Sequence, residues 1–293
     1  MAIWNLGSIN IDHFYRVPHI PAPGETLAAS SYATGLGGKG ANQSIAAARG
    51  GARVKHIGAV GADGAWAVAA LAEAGIDSSH IATLEVPTGH AIINVNDAGE
   101  NAIVIFSSAN VALTEDQIRA ALSAAAEGDV CLLQNETNLA PYAAEIARGK
   151  GMRVIYSAAP FDADHAADML AFTDLLVLNE VEAAQLSEAL GVSPAHLPVA
   201  EVLITRGAKG AIYRSGGDEI SVPAFAVEPV DTTGAGDCYL GFFAAGQSAG
   251  MDVKGAMTFA AAAAAIQVTQ AGTADAMPDL QEVKAFLEDR LAS

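Results

Sequence analysis

The chain has 293 residues, 52% of them hydrophobic and 16% charged, enough for one large domain or two modest ones with an ample core. Fifteen Lys and Arg against 33 Asp and Glu give a formal net charge of −18, which argues against nucleic acid and anionic membrane as partners. A phosphate-bearing ligand would have to be held by local backbone donors, a few lysines and cations against an unfavourable global field.

The N-terminal run Met-Ala-Ile-Trp-Asn-Leu-Gly has no basic region leading into an apolar stretch, so Ile3 to Gly7 is predicted as a first strand and not a signal peptide. Asn10 and Asp12 follow it, two apart, and face the same way if the chain stays extended. A glycine-rich stretch, Gly35 to Asn42, leads into a helix predicted over Ala41 to Arg49. If that helix begins early, Lys39 and Asn42 share a face suited to paired hydrogen bonds with a polyol; the alternative is a tight turn with a solvent-facing lysine. Gly35, Gly37 and Gly40 formally match GxGxxG, but no apolar strand precedes them and no strand ending in an acidic residue follows about 20 residues later.

A second helix is predicted over Ala65 to Ala74, then a hairpin from Gly89 to Val95 and Ala102 to Ser107 around Asp97-Ala98-Gly99-Glu100. Such a hairpin either forms a flap over a site or lies at a sheet edge. We expect a single domain over 1–293, with a small β lid made by about 10–36 and 88–108.

From Val130 onward strands and helices alternate: strand Val130 to Gln134, helix Ala140 to Arg148, strand Arg153 to Ser157, strand Leu175 to Leu178, helix Glu180 to Leu190, strand Glu201 to Thr205. Alternation of this kind predicts βαβ units and a mainly parallel sheet flanked by helices. Ligands bind beyond the carboxyl ends of such strands, where Asn10 and Asp12, Asn135 and Glu136, Asn179, and Thr205 all fall.

Gly234-Ala235-Gly236 leaves backbone N–H groups uncovered where an apolar helix starts, which favours a bound anion. Asp237 sits beside that anion hole. It is either an N-cap or a base that accepts a proton from an attacking hydroxyl. The apolar stretch Ala256 to Val268 is shorter than the roughly 20 residues needed to cross a bilayer. Cys131 and Cys238 form no CxxC and the seven histidines show no metal-binding spacing, which points to a reducing cytoplasm without a zinc or histidine metal site. No Gly-Lys pair is followed by Ser or Thr at Walker A spacing.

Six motifs in order, Gly7-Ser-Ile-Asn-Ile-Asp12, Gly37-Gly-Lys-Gly-Ala-Asn-Gln43, Gly99-Glu-Asn101, Leu178-Asn-Glu-Val-Glu182, Thr205-Arg-Gly-Ala-Lys-Gly210 and Asp231-Thr-Thr-Gly-Ala-Gly-Asp237, resemble the ribokinase family of sugar and nucleoside kinases. The resemblance implies a ribokinase-like three-layer α/β fold with a central, mostly parallel sheet and a small β lid. It implies ATP-dependent phosphorylation of the primary hydroxyl of a furanose, D-ribose first, with Asp237 as base and the amides of Gly234, Ala235 and Gly236 stabilising the transferring phosphoryl. Sugar contacts carry over to Asn10, Asp12, Gly38, Lys39, Asn42 and Glu136. Asn179 and Glu182 carry over as phosphate and magnesium-water contacts, and Thr205, Arg206, Gly207, Ala208, Lys209 and Gly210 as the nucleotide-binding turn.

Asp231 and the Thr233 carbonyl, with carbonyls near Gln267, Gln270 and Gly272, resemble a site for K⁺. Family members often pair through the lid, which implies a homodimer. The chain departs from the family pattern at Ser157-Ala-Ala-Pro160, at Ser108-Ala-Asn110, at Ala261 beside the adenine and at Ala276 in the cation site. Alternatives are a family kinase for a nucleoside, fructose or a keto-deoxy acid, a nicotinamide-dependent oxidoreductase resting on the GxGxxG match, and a catalytically silent sugar-binding protein.

Overall fold

The computed structural model of the chain describes residues 1–291. In chain order it runs β1 (Ile3–Leu6), β2 (Asn10–Arg16), β3 (Ser31–Gly37), α1 (Lys39–Arg49), β4 (Val54–Gly61), α2 (Ala65–Glu73), β5 (Asp77–Leu84), β6 (Gly89–Val95) and β7 (Asn101–Phe106). Then come α3 (Glu115–Leu122), β8 (Val130–Leu133), α4 (Ala140–Gly149), β9 (Arg153–Ser157), α5 (Ala163–Met169), β10 (Leu175–Asn179) and α6 (Glu180–Leu190). The last elements are β11 (Glu201–Thr205), β12 (Ala211–Ser215), β13 (Asp218–Val222), α7 (Ala235–Ser248), α8 (Val253–Gln267) and α9 (Leu280–Leu291).

Nine strands form one sheet in the order β13-β12-β11-β10-β9-β8-β1-β4-β5. It is parallel from β11 to β5, and β12 and β13 add an antiparallel hairpin at one edge. Side chains alternate across it. Trp4, Leu6, Cys131 and Leu133 pack with α3 to α6, whereas Ile3, Val130 and Leu132 pack with α1, α2 and α7 to α9. This is the helix–sheet–helix sandwich that an alternating βα pattern predicts.

The predicted hairpin does not join the edge of that sheet. β6 and β7 belong to a separate four-stranded sheet, β3-β2-β6-β7. β2 continues almost directly from β1, so the small sheet springs from the carboxyl end of the central strand. Gly35 and Gly37 lie in β3, antiparallel to β2, and not in a strand-to-helix turn of a βαβ unit. The GxGxxG match therefore has none of the context that a dinucleotide fingerprint requires.

α1 begins at Lys39, two residues before the predicted start, and Gly40 packs against the end of β1. A Cβ at Gly40 would come within 2.4 Å of Gly7 backbone atoms, so only glycine lets this helix start so close to the strand. Ser108 sits at a left-handed φ of 42°, and its Oγ donates to the Pro87 carbonyl at 2.6 Å.

Candidate active site

Asp237 is the third residue of α7, whose N-cap is Gly234 at φ 78°, with no side-chain cap. Asp237 is therefore not an N-cap. The residue is only 8% exposed, and its carboxylate faces α1, where it accepts from Gln43 Nε2 at 2.8 Å and from Asn42 Nδ2 at 3.2 Å. Of the three amides assigned to the anion hole, that of Ala235 also donates to the Thr232 carbonyl at 3.2 Å. The first helical bond runs from Cys238 N–H to the Gly234 carbonyl at 2.9 Å, so Gly236 and Asp237 precede it as orphan donors of the first turn.

Lys39 opens α1, and its backbone N–H donates to Glu136 Oε2 at 2.9 Å. The charge of Asp237 holds its ammonium above the usual lysine range against the pull of burial, with Glu136 and Glu182 adding to the effect. One cation thus serves three carboxylates. Burial pushes Glu136 up, opposed by Lys39 and by the Ser8 hydroxyl, which donates to the same oxygen. Asp12 is pushed up to about 7, first by burial and then by the charge of Glu136. The site is rich in carboxylates that are short of positive partners, which is the setting in which a polyol's hydroxyl donors are welcome.

A cavity of about 170 Å³ brings Lys39, Asn179, Glu182 and Thr205 to a wall made by the Gly234–Asp237 turn. A wider hollow of about 490 Å³ near Arg53 and Asp129 opens at the amino ends of the strands, the wrong end for a ligand of a parallel sheet. Asn179 and Glu182 form a reciprocal capping box at the start of α6: Asn179 Oδ1 accepts from Glu182 N–H at 2.9 Å, and Glu182 Oε2 accepts from Asn179 N–H at 2.8 Å. Burial pushes the Glu182 carboxyl up.

Asn10 and Asp12 are both buried on β2. Asn10 Oδ1 accepts from Asn110 Nδ2 at 2.7 Å, while Asn110 Oδ1 accepts from Ile9 N–H at 2.9 Å. Gly38, at φ 90°, makes the turn from β3 into α1. The segment Arg206, Gly207, Ala208, Lys209 and Gly210 forms the β11–β12 connection; Arg206 N–H donates to the Gly210 carbonyl at 2.8 Å, and Lys209 pairs with Glu180 at 3.1 Å on the surface. Thr205 alone of this turn lines the cavity. Ala261 is buried in the core of α8.

The residues assigned to a monovalent cation are cross-bonded among themselves. Asp231 accepts from Thr233 N–H at 2.9 Å and from Gly272 N–H at 3.1 Å. Gln267 Nε2 donates to the carbonyls of Thr233 and Gly272, and the Gln267 carbonyl accepts from Gln270 N–H at 3.1 Å. Ala276 brings no oxygen from its side chain. This set does not fit a bound K⁺, because the Thr233, Gly272 and Gln267 carbonyls already face amide donors.

Sequence reasoning missed Gln43, Gln134, Ser8 and Asn110. Gln134 Nε2 donates to Gln43 Oε1 at 2.7 Å and to Asn5 Oδ1 at 2.9 Å. Asn5 Nδ2 donates to Ser44 Oγ at 2.8 Å, and Ser44 Oγ pairs with His56 Nδ1 at 2.8 Å. Asn5, His56 and Gln134 are buried on the sheet face under α1, and a polar residue ending an apolar strand was the available signal for Gln134.

The chain matches the family model for pfkB family carbohydrate kinases over residues 3–280. It is 39% identical over 298 residues to a ribokinase of Haemophilus influenzae, covering 97% of each chain. Among solved structures it is similar to a Thermotoga maritima ribokinase, with 32% identity, a TM-score of 0.89 and coverage of 98% of this chain and 99% of that one. An Arabidopsis thaliana ribokinase complexed with ribose and ATP gives 29% identity and a TM-score of 0.86, over 98% of this chain and 99% of that one.

Proposed function

The chain belongs to the pfkB family of carbohydrate kinases, and from that premise we propose that it transfers the γ-phosphoryl of ATP to the exocyclic primary hydroxyl of D-ribose, giving D-ribose 5-phosphate. The observation that carries this reading is the buried Asp237 carboxylate, set by α1 amides in the wall of a cavity that also holds Lys39, Asn179 and Glu182. In the reaction Asp237 takes the hydroxyl proton as the sugar oxygen bonds to the γ-phosphorus and the bond from that phosphorus to ADP breaks. Amides of the Gly234–Gly236 turn and the Lys39 ammonium offset charge on the transferring group. Asp12 and Glu136 accept from the ring hydroxyls, and Asn10 and Asn42 complete the sugar's contacts. The small sheet covers the sugar and keeps water out, since an open site would hydrolyse ATP.

Mg²⁺ accompanies ATP and neutralises its phosphate oxygens. Among the described residues no cluster of His, Cys, Asp and Glu could hold a metal ion alone. Glu182, a cavity carboxylate beside the capping amide of Asn179, fits an ion held through its water shell. K⁺ takes no part in this reaction. The nucleotide base lies beyond Thr205 along the 206–210 connection.

We assign the protein to the cytoplasm, in keeping with two buried free thiols, Cys131 and Cys238; no described helix is long and apolar enough to cross a membrane. Exposed Tyr32, Ile103, Val104, Ile105 and Phe106 on the small sheet support a homodimer formed through it.

ADP release measured with D-ribose, fructose, a keto-deoxy acid and a nucleoside tests the substrate. D-Ribose should lead in kcat/KM by about tenfold or more, and another leader would replace it. Asp237→Asn should cost about 10²- to 10⁴-fold in kcat while sugar binding, read by calorimetry, persists. Wild-type turnover in that variant would remove Asp237 from the chemistry.

A further inference from the structure

Gln267 ends α8 and is wholly buried. Its Nε2 donates to the Thr233 carbonyl at 2.9 Å and to the Gly272 carbonyl at 3.1 Å, joining the turn ahead of α7 to the loop after α8. Two carbonyl acceptors at one end of the amide fix its orientation, because Oε1 in that place would meet two oxygens. Oε1 itself is buried without a hydrogen-bond partner. An orphaned buried acceptor is destabilising, so the side chain is held here by what its nitrogen does.

What the nitrogen does is bring partial positive charge to two carbonyls, Thr233 two residues after Asp231 and Gly272 thirty-six residues after Gly236, on either side of the anion-hole turn. The Asp231 carboxylate is likewise met by backbone N–H groups of Thr233 and Gly272. The loop thus closes on itself through donors that belong to the chain. We propose that the Gln267 amide stands in for a bound monovalent cation, holding the Thr233 and Gly272 carbonyls so that the Gly234–Gly236 turn is set without K⁺. Gln267 is then a positioning residue, and the enzyme is insensitive to potassium. The inference rests on the kinase reading for its rate measurement, but not for its stability measurement.

The test compares wild type, Gln267→Ala and Gln267→Met in choline and in potassium at about 100 mM, reading kcat, KM for ribose and Tm, since a bound ion stabilises by mass action. Wild type should differ less than about twofold in kcat between the salts, with the same Tm in both. The variants should lose about tenfold or more in kcat in choline at nearly unchanged KM, as expected when a turn that contacts the transition state is loosened, and Gln267→Ala should respond to potassium in kcat and Tm. Wild type activated or raised in Tm by potassium alone would overturn the proposal. So would a folded Gln267→Ala with full kcat in choline, or one that gains no response to potassium. If neither variant folds, the wild-type comparison still decides. A wild type with no sugar-kinase activity would refute the functional reading instead, and its Tm in the two salts would still test Gln267.

Discussion

Asp12 illustrates how far a single carboxyl is moved by being placed beside another in a closed site. Its pKa of about 7 arises from burial first and from Glu136 second. Below about pH 4 it is protonated in both folded and unfolded chains. Between about pH 4 and 7 the unfolded chain gives up this proton while the folded chain keeps it, so stability falls as pH rises, by about 1.4 kcal/mol per unit at most, and levels off above 7. In Asp12→Asn that part of the slope should vanish, with variant and wild type nearest in stability at about pH 4. Denaturation midpoints across this range give the answer, and parallel curves would show that Asp12 is not the group responsible. Gln43 calls for a different measurement. Its amide is oriented by Gln134, which donates to its oxygen, so only N–H can face Asp237. Gln43→Leu should lower kcat by about ten- to a hundredfold with KM for the sugar changed little, because it loosens the base without touching the sugar. A rise in KM with kcat intact would mean that Gln43 serves binding. The polar residues after strands were legible in the sequence because position on a parallel sheet limits where a ligand can lie. Gln43 was not, because neighbours on a helix diverge, and only the close approach of α1 to α7 lets Asn42 and Gln43 flank one carboxylate.

At the scale of elements, the joint between the two sheets is what sets the sugar side of the site. β2 leaves β1 after three residues, and Asn110, in the 3₁₀ turn after β7, ties that exit from the other side through Ile9 N–H and Asn10 Oδ1. Gly89 at the start of β6 makes room for it, since a Cβ there would lie 2.1 Å from Asn110 Nδ2. Asn110→Ala strands a buried amide and a buried side-chain oxygen, at about 1–3 kcal/mol each, and frees Asn10 to turn. Urea unfolding should show a loss of about 2–4 kcal/mol together with a raised sugar KM; a loss below about 0.5 kcal/mol would mean that the joint does not depend on this amide. Strands β1 and β8 to β11, the first helices and the β6–β7 hairpin followed from periodicity and turn residues, whereas β4 was not read from the sequence. β5 did not, because its start, Asp77-Ser-Ser-His, is polar and its burial comes from pairing with β4. The β12–β13 hairpin closes the sheet edge after the parallel run ends, and the Gly216-Gly217 turn between its strands was the signal passed over.

Across the whole molecule, charge and exposed apolar surface pull in opposite directions. Each chain carries −18, so two copies repel at long range. Against this, β7 is an edge strand on which Ile103, Val104, Ile105 and Phe106 are all about half exposed or more, and Tyr32 is exposed on β3. An edge so apolar, on a sheet of only four strands, is unstable against pairing unless something covers it. The proposed dimer covers it with a second copy, and the balance of the two forces sets how the dimer responds to salt. Screening shortens the reach of the repulsion from about 30 Å at 0.01 M to about 8 Å at 0.15 M while leaving apolar burial intact. Association should therefore tighten as salt rises over that range, the reverse of an interface held by ion pairs. Val104→Glu should produce a monomer at concentrations where wild type is dimeric, by placing a charge on the exposed apolar edge. Sedimentation at the two ionic strengths reads both effects. A wild type that is monomeric throughout would overturn the dimer, and a dimer that Val104→Glu leaves intact would move the interface away from the small sheet; either leaves its apolar edge to be covered by some other means.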